Sequence, residues 1–134
     1  MKLLSRNTDY AVRAVCYIAR HKERVVSVSD LVGALNIPRP FLRKILQRLN
    51  KKAILISHQG KGGGFQLAGS SDKIFLLDLM EAFQGPFRLN KCTFKREICP
   101  NRRACFLKKK IDGIEGYVMS ELKTITIGSI LRGE

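Results

Sequence analysis

The sequence has no apolar run approaching the ~18–20 residues that a membrane span requires, so a membrane protein is not expected. Its opening stretch, MKLLSRNTDYAVR, lacks an apolar core long enough for a secretory signal. The expected location is therefore the cytoplasm. Histidine is scarce: His21 and His58 are the only two. Neither has an obvious nucleophile as partner, so no catalytic pair is evident and an enzyme is not expected. A length of 134 residues leaves no room for a multi-domain enzyme. There are no internal repeats and no low-complexity tract. Acidic residues are few, with 11 Asp and Glu against 25 Lys and Arg, a formal net charge of +14.

That charge is unevenly spread. Residues 1–69 hold 13 basic and 3 acidic residues, and residues 70–134 hold 12 and 8. An excess of this size in the N-terminal half suggests a polyanionic partner, most often nucleic acid, over a merely solvated basic face.

Apolar periodicity then sets out the elements. Ala11, Ala14, Val15 and Ile18 place one apolar face on a helix over residues 6–20, with Ser5 as N-cap. Ser27 and Asp30 have the spacing of a capping box ahead of a short helix ending near Leu35, and Asn36 suits a left-handed turn. Pro38 and Pro40 suit the first turn of a third helix, roughly 40–51, because proline has no amide to donate. Phe41, Leu42, Ile45, Leu46 and Leu49 are expected to face inward. Residues 54–58 and 65–68 read as two short strands joined by a glycine-rich connection over 59–64. A further amphipathic helix is expected over 74–84, closed by Gly85-Pro86. The predicted class is mainly α with a small β-hairpin wing: a winged helix-turn-helix followed by a long C-terminal dimerisation helix. The expected divisions are a DNA-binding domain over 1–85, a cysteine-containing loop over 86–105, and a dimerisation helix with C-terminal segment over 106–134.

The long helix is expected to start near Cys105. Its apolar residues Leu107, Ile111, Ile114, Val118, Leu122 and Ile125 step by threes and fours, a coiled-coil type of seam. Gly113 and Gly116 weaken it by roughly 1 kcal/mol each relative to alanine. Pairing with a second copy is favoured over packing on its own domain.

The order helix, capped helix, turn, basic helix and glycine-tipped hairpin points to a double-stranded DNA operator. The third helix is narrow enough for the major groove. Arg39, Pro40, Arg43, Lys44, Gln47, Arg48 and Lys51 form its candidate DNA face. Arginine can grip guanine, and glutamine adenine, with two hydrogen bonds each. At the hairpin, His58, Gln59 and Lys61 are joined by Gly62 and Gly63, whose bare backbone can lie against phosphates or enter the minor groove. The glycines do not form a nucleotide-phosphate loop, because the G-x-x-x-x-G-K-[ST] pattern is absent and a strand follows.

Four cysteines occur. Cys16 lies alone in an apolar helical stretch and is expected to be a buried structural thiol. Cys92, Cys99 and Cys105 cluster among basic residues that would lower thiolate pKa. Three thiols cannot all pair with one another, which argues against a disulfide framework. Thiolates hold iron–sulfur clusters and zinc alike, and a fourth ligand must come from elsewhere.

The ordered set of NTDYAVRAV, IPRPFLRKILQRL, GKGGGFQLA, LLDLMEAFQGP, the three-cysteine loop and ITIGSIL resembles the Rrf-type (IscR/NsrR-like) family of bacterial winged helix-turn-helix regulators. The resemblance spans nearly the whole chain. It implies a homodimer on a near-palindromic operator, and a 2Fe–2S or 4Fe–4S cluster on Cys92, Cys99 and Cys105. The cluster's gain, loss or nitrosylation would change operator affinity. It also implies a transcriptional role, as a repressor, sensing redox, iron–sulfur status or nitric oxide. One branch of the family takes a histidine three residues after the last cysteine; Lys108 stands there in this chain. In the nitric-oxide-sensing branch a first-helix aspartate reaches across from the partner, and Asp9 matches that position. The gap between Cys92 and Cys99 is one residue longer than the commonest family spacing. The alternative is a cluster-free regulator working by thiol oxidation or structural zinc.

Overall fold

A computed structural model describes residues 2–89 and 106–134. The helices are α1 (Arg6–Arg20), α2 (Val28–Leu35), α3 (Arg39–Lys51), α4 (Leu76–Gln84), α5 (Phe106–Leu122) and α6 (Ile127–Arg132), and strands β1 (Leu55–His58) and β2 (Gly64–Leu67) lie between α3 and α4. Mostly helical architecture with one antiparallel hairpin is the winged-helix class that the sequence pattern predicts.

The first two helices start where their caps dictate. The Ser5 side chain accepts from the Thr8 amide at 3.2 Å. At α2, the Asp30 amide donates to Ser27 Oγ at 3.0 Å while the Ser27 amide donates to Asp30 Oδ2 at 3.1 Å, a reciprocal capping box. Asn36 closes α2 in the left-handed region at φ 55°. Ala53 follows α3 at φ 61°, with its amide bonded to Asn50 O and the Ile54 amide to Leu49 O. That pair of bonds is a Schellman closure, held here by a residue with a Cβ where glycine is usual.

One core joins α1, α2, α3 and the hairpin. Val15, Ile18, Val26, Leu31, Leu42, Leu46, Leu49, Leu55 and Leu79 are fully buried or nearly so within it. Each such aliphatic side chain contributes about 1.5–3 kcal/mol on burial. Phe41 departs from the sequence expectation: it is 47% exposed. At 100° per residue it lies about 90° from the centre of the Leu42–Ile45–Leu46–Leu49 stripe, at the rim of the core.

Two further elements differ from the sequence pattern. Helix α4 begins at Leu76 rather than at 74. The segment before it is extended: the Leu76 amide donates to Ile125 O at 2.9 Å and the Ile127 amide to Ile74 O at 2.8 Å. This bridge draws 74–75 out of the helix and takes Ile125 beyond the end of α5. The closing segment then forms α6, a helix separate from α5 that the sequence pattern does not distinguish. Thr126 and Ser129 cap it reciprocally, Ile127 is fully buried in the main core, and Arg132 pairs with Asp72 at 2.6 Å.

Gln84 ties the end of α4 to the start of α1. Its Oε1 accepts from the Ser5 amide at 2.9 Å and from the buried Thr8 hydroxyl at 2.7 Å, and its Nε2 donates to Leu3 O at 3.0 Å. A second apolar cluster of Leu76, Leu77, Met80, Phe87 and Leu122 joins α4 to the C-terminal end of α5. One face of the rest of α5 is open. Phe106, Leu107, Ile114 and Tyr117 are 70%, 69%, 54% and 68% exposed, in a helix unbroken by Gly113 and Gly116. Among the described residues, no helix is long and apolar enough to cross a membrane.

Candidate nucleic-acid interface

Helix α3 buries Leu42, Ile45, Leu46 and Leu49, and this fixes which residues point outward. Pro40, Arg43, Lys44, Gln47 and Lys51 all lie exposed on the opposite side. No carboxylate occurs anywhere in α3. Among the described residues, no ion pair engages Arg43, Lys44 or Lys51, so their charge is free to meet an anion.

The two flanks of α3 are held differently. Arg39, in its first turn, donates through Nη2 to Ser29 Oγ of α2 at 3.0 Å. Arg48, on the other flank, donates through Nε to the main-chain oxygen of Ala82 at 2.8 Å. That oxygen belongs to the last turn of α4, where helix carbonyls lack intrahelical partners and a cation is favoured. Arg48 therefore braces α3 against α4, a contact that helical spacing does not reveal. The α2 cap is itself braced: Arg24 Nη1 pairs with Asp30 Oδ2 at 3.1 Å. The Ser27 backbone amide, then the Ser27 side chain and Arg24, hold the Asp30 carboxyl below the usual carboxylate range.

The hairpin pairs Leu55 with Leu67, Ile56 with Gln66, Ser57 with Phe65 and His58 with Gly64. At its tip the Gly63 amide donates to Gly60 O at 3.0 Å, with Gly60 at φ 82° and Gly62 at φ 77°. Both glycines meet the need for positive φ in a tight turn. A Cβ on Gly63 would collide with the His58 and Gly60 carbonyls, so this glycine serves close backbone approach instead. Gln59 and Lys61 are exposed beside it. His58 is oriented across the ladder, its Nε2 lying 2.8 Å from Gln66 Oε1.

Asp9 sits in the first turn of α1, its Oδ2 3.2 Å from Arg13 Nε, with Arg13 exposed and Asp9 half-buried. Cys16 is buried, and desolvation pushes its thiol pKa up against the opposing pull of Arg20. It is thus an inert packing thiol, as its apolar setting suggests. Cys92, Cys99 and Cys105 lie outside the described residues. Among the described residues, no three of His, Cys, Asp and Glu come together as a metal site. The chain leading towards Cys92 is anchored by a residue that no sequence motif marks: Glu115 of α5 accepts the Leu89 amide at 2.9 Å.

Residues 4–133 match the model of a family described as "Rrf2: Iron-dependent Transcriptional regulator". The chain is 30% identical over 134 residues to protein rrf2 of Nitratidesulfovibrio vulgaris, covering 98% of this chain and 88% of that one. Its fold is similar to that of CymR, described as the global cysteine regulator of B. subtilis, with a TM-score of 0.78, 18% identity and coverage of 100% and 99% of the two chains. It is similar also to T. potens IscR, with a TM-score of 0.77, 22% identity and coverage of 99% and 88%.

Proposed function

This chain belongs to the Rrf2 family of DNA-binding transcriptional regulators, and from that premise we propose that it is a homodimeric, cytoplasmic repressor with no enzymatic role. The observation that carries the reading is the outer face of α3: Arg43, Lys44, Gln47 and Lys51, exposed, without a carboxylate in the helix, on a scaffold capped at α2 and braced at both flanks. In this reading α3 enters the major groove, and the turn at Gly60–Gly63 brings Lys61 to the phosphate backbone.

The exposed apolar side chains of α5 support the dimer. Phe106, Leu107, Ile114 and Tyr117 cost least when covered by the same surface of a second copy. Two-fold symmetry then asks for two half-sites, and so for a near-palindromic operator.

The sensor in this reading is an iron–sulfur cluster held by Cys92, Cys99 and Cys105. Three thiols in a basic stretch suit such a donor set, and the family's description as iron-dependent supports it. Asp9 of the partner subunit is the proposed fourth ligand. Its carboxylate is partly accessible, and among the described residues it pairs only with the exposed Arg13, which supports its availability to a metal. The cluster would supply sensitivity to oxidants, nitric oxide or iron supply. A second reading, thiol oxidation or structural zinc without a cluster, draws support from the neighbour described as a cysteine regulator and from Lys108 at the position where a histidine ligand would stand.

Anaerobic purification with visible absorbance and iron and sulfide assays separates the two. Iron and sulfide near stoichiometry support the cluster, whereas a colourless protein after anaerobic reconstitution favours the second reading. Mass measurement in solution tests the dimer. Titration of duplex DNA from upstream of the protein's own gene, against a scrambled duplex, tests the regulator itself.

A further inference from the structure

Arg48 has more hydrogen-bonding capacity than its brace uses. A guanidinium carries five N–H donors in a rigid fork. In this molecule Nε is spent on Ala82 O. The rest of the side chain lines an open cavity of about 410 Å³ together with Asn7, Phe41, Lys44, Ile45 and Phe83. The cavity lies along the flank of α3, beside the first turn of α1. Its two charged groups, Lys44 and Arg48, are both cations, and they stand beside the apolar Phe41, Ile45 and Phe83. A single anion with several acceptor oxygens fits this chemistry, and a duplex laid along α3 brings backbone phosphates to its flanks.

We propose that Arg48 is a two-sided residue: its terminal N–H groups, with Lys44, hold one DNA backbone phosphate in this cavity while its Nε holds the last turn of α4. The proposal rests on the DNA-binding reading above and deepens it. Arg48 positions α4 according to whether DNA is bound, rather than reading a base. The last turn of α4 is well placed to pass this on. Gln84 in that turn holds Leu3, Ser5 and Thr8, and the chain runs from it through buried Phe87 to Leu89, which Glu115 of α5 anchors. Phosphate occupancy and the position of the segment after α4 are thereby linked through one side chain. Linkage is reciprocal, so a change imposed on that segment alters affinity for the phosphate.

Two variants test this on the full chain with a generic duplex. Arg48→Met keeps the packing stem but no charge. Arg48→Lys keeps the charge but loses the Nε–H that bonds Ala82 O and the rigid fork that spans both partners. The slope of log K against log salt is measured for each. Hydrogen exchange of a peptide covering 80–89 is measured with and without DNA. In the wild type, DNA is expected to slow exchange in this peptide severalfold. Arg48→Met is expected to make the salt slope shallower by about 0.9 per protomer, one phosphate contact, and to lose the DNA-induced slowing. Arg48→Lys is expected to keep the slope and lose the slowing. A Met variant with the wild-type slope, or a Lys variant that keeps the DNA-induced slowing, overturns the proposal. If Arg48→Met does not fold, the Lys variant alone decides it. A wild type that binds no duplex in any salt overturns the DNA reading and this inference together, whereas a salt-dependent wild type with unaffected variants overturns this inference only.

Discussion

Val26 and Phe65 exchange two main-chain hydrogen bonds: the Val26 amide donates to Phe65 O at 3.0 Å, and the Phe65 amide donates to Val26 O at 2.8 Å. This single bridge ties the second strand of the hairpin to the residue just before the α2 cap. It sets the wing against the helix-turn-helix. The approach is close enough to dictate the neighbouring residue. A Cβ on Gly64 would overlap the Val26 carbonyl.

Gly64→Ala is therefore expected to force the bridge apart. Overpacking of this kind costs about 1–3 kcal/mol. The melting temperature should fall by several degrees, and DNA affinity should fall further than the loss of folded protein explains. Thermal denaturation and a DNA titration on the same sample check this. A variant with the wild-type melting temperature contradicts the close approach.

Ala53 offers the opposite case. It sits at φ 61° in the closure of α3, where a Cβ is strained. The strain is about 1–2 kcal/mol, and glycine returns part of the gain through a more flexible unfolded chain. Ala53→Gly is expected to raise stability by about 0.5–1 kcal/mol, measured by urea denaturation. The open surroundings of the helix end leave DNA affinity unchanged.

The Asp30 carboxylate gives a dependence on pH. Its pKa is lowered in the folded state by the Ser27 amide, the Ser27 hydroxyl and Arg24. A depressed carboxylate contributes stability that is present above its unfolded pKa, about 3.9, and lost as pH falls through the folded value. Asp30→Ala should thus be less stable than the wild type at pH 7, with the two curves converging as pH drops below about 4. Denaturant midpoints across pH measure this. A gap that stays constant into acid contradicts the ionic cap.

For the proposed sensor, Cys99→Ser tests the ligand set. Serine is a poor ligand for a thiolate-bound cluster, so the variant should lose iron and sulfide while keeping its fold and its salt-dependent binding to duplex DNA. Retention of full iron and sulfide contradicts the assignment of Cys99.

Much of the fold is legible in the sequence because its signals are local. The Ser27–Asp30 spacing, Asn36 at a helix end and proline at a first turn each act within a few residues, and all three stand as expected. The stripe Leu42–Ile45–Leu46–Leu49 likewise fixes the inner face of α3. What escaped the sequence depends on long-range partners. Helix α6 has six residues, too few for a period to show, and exists because Ile127 enters the core and Arg132 reaches Asp72. The start of α4 moves because Ile74 and Leu76 pair with a segment some fifty residues on. Arg48 reads as one more basic residue of α3, since nothing in its spacing shows the Ala82 carbonyl. Gln84 carries only the hint of standing beside Gly85-Pro86.

Arg43 is the most direct test of whether α3 reads base edges in a specific operator. The measurement is the affinity of wild type and Arg43→Ala for DNA from upstream of the protein's own gene and for a scrambled duplex, at one salt concentration. The wild type is expected to prefer its own upstream DNA, and Arg43→Ala to lose about 1–3 kcal/mol on that DNA and much less on the scrambled one. Equal losses on both duplexes, or a wild type that does not distinguish them, would contradict base reading by α3.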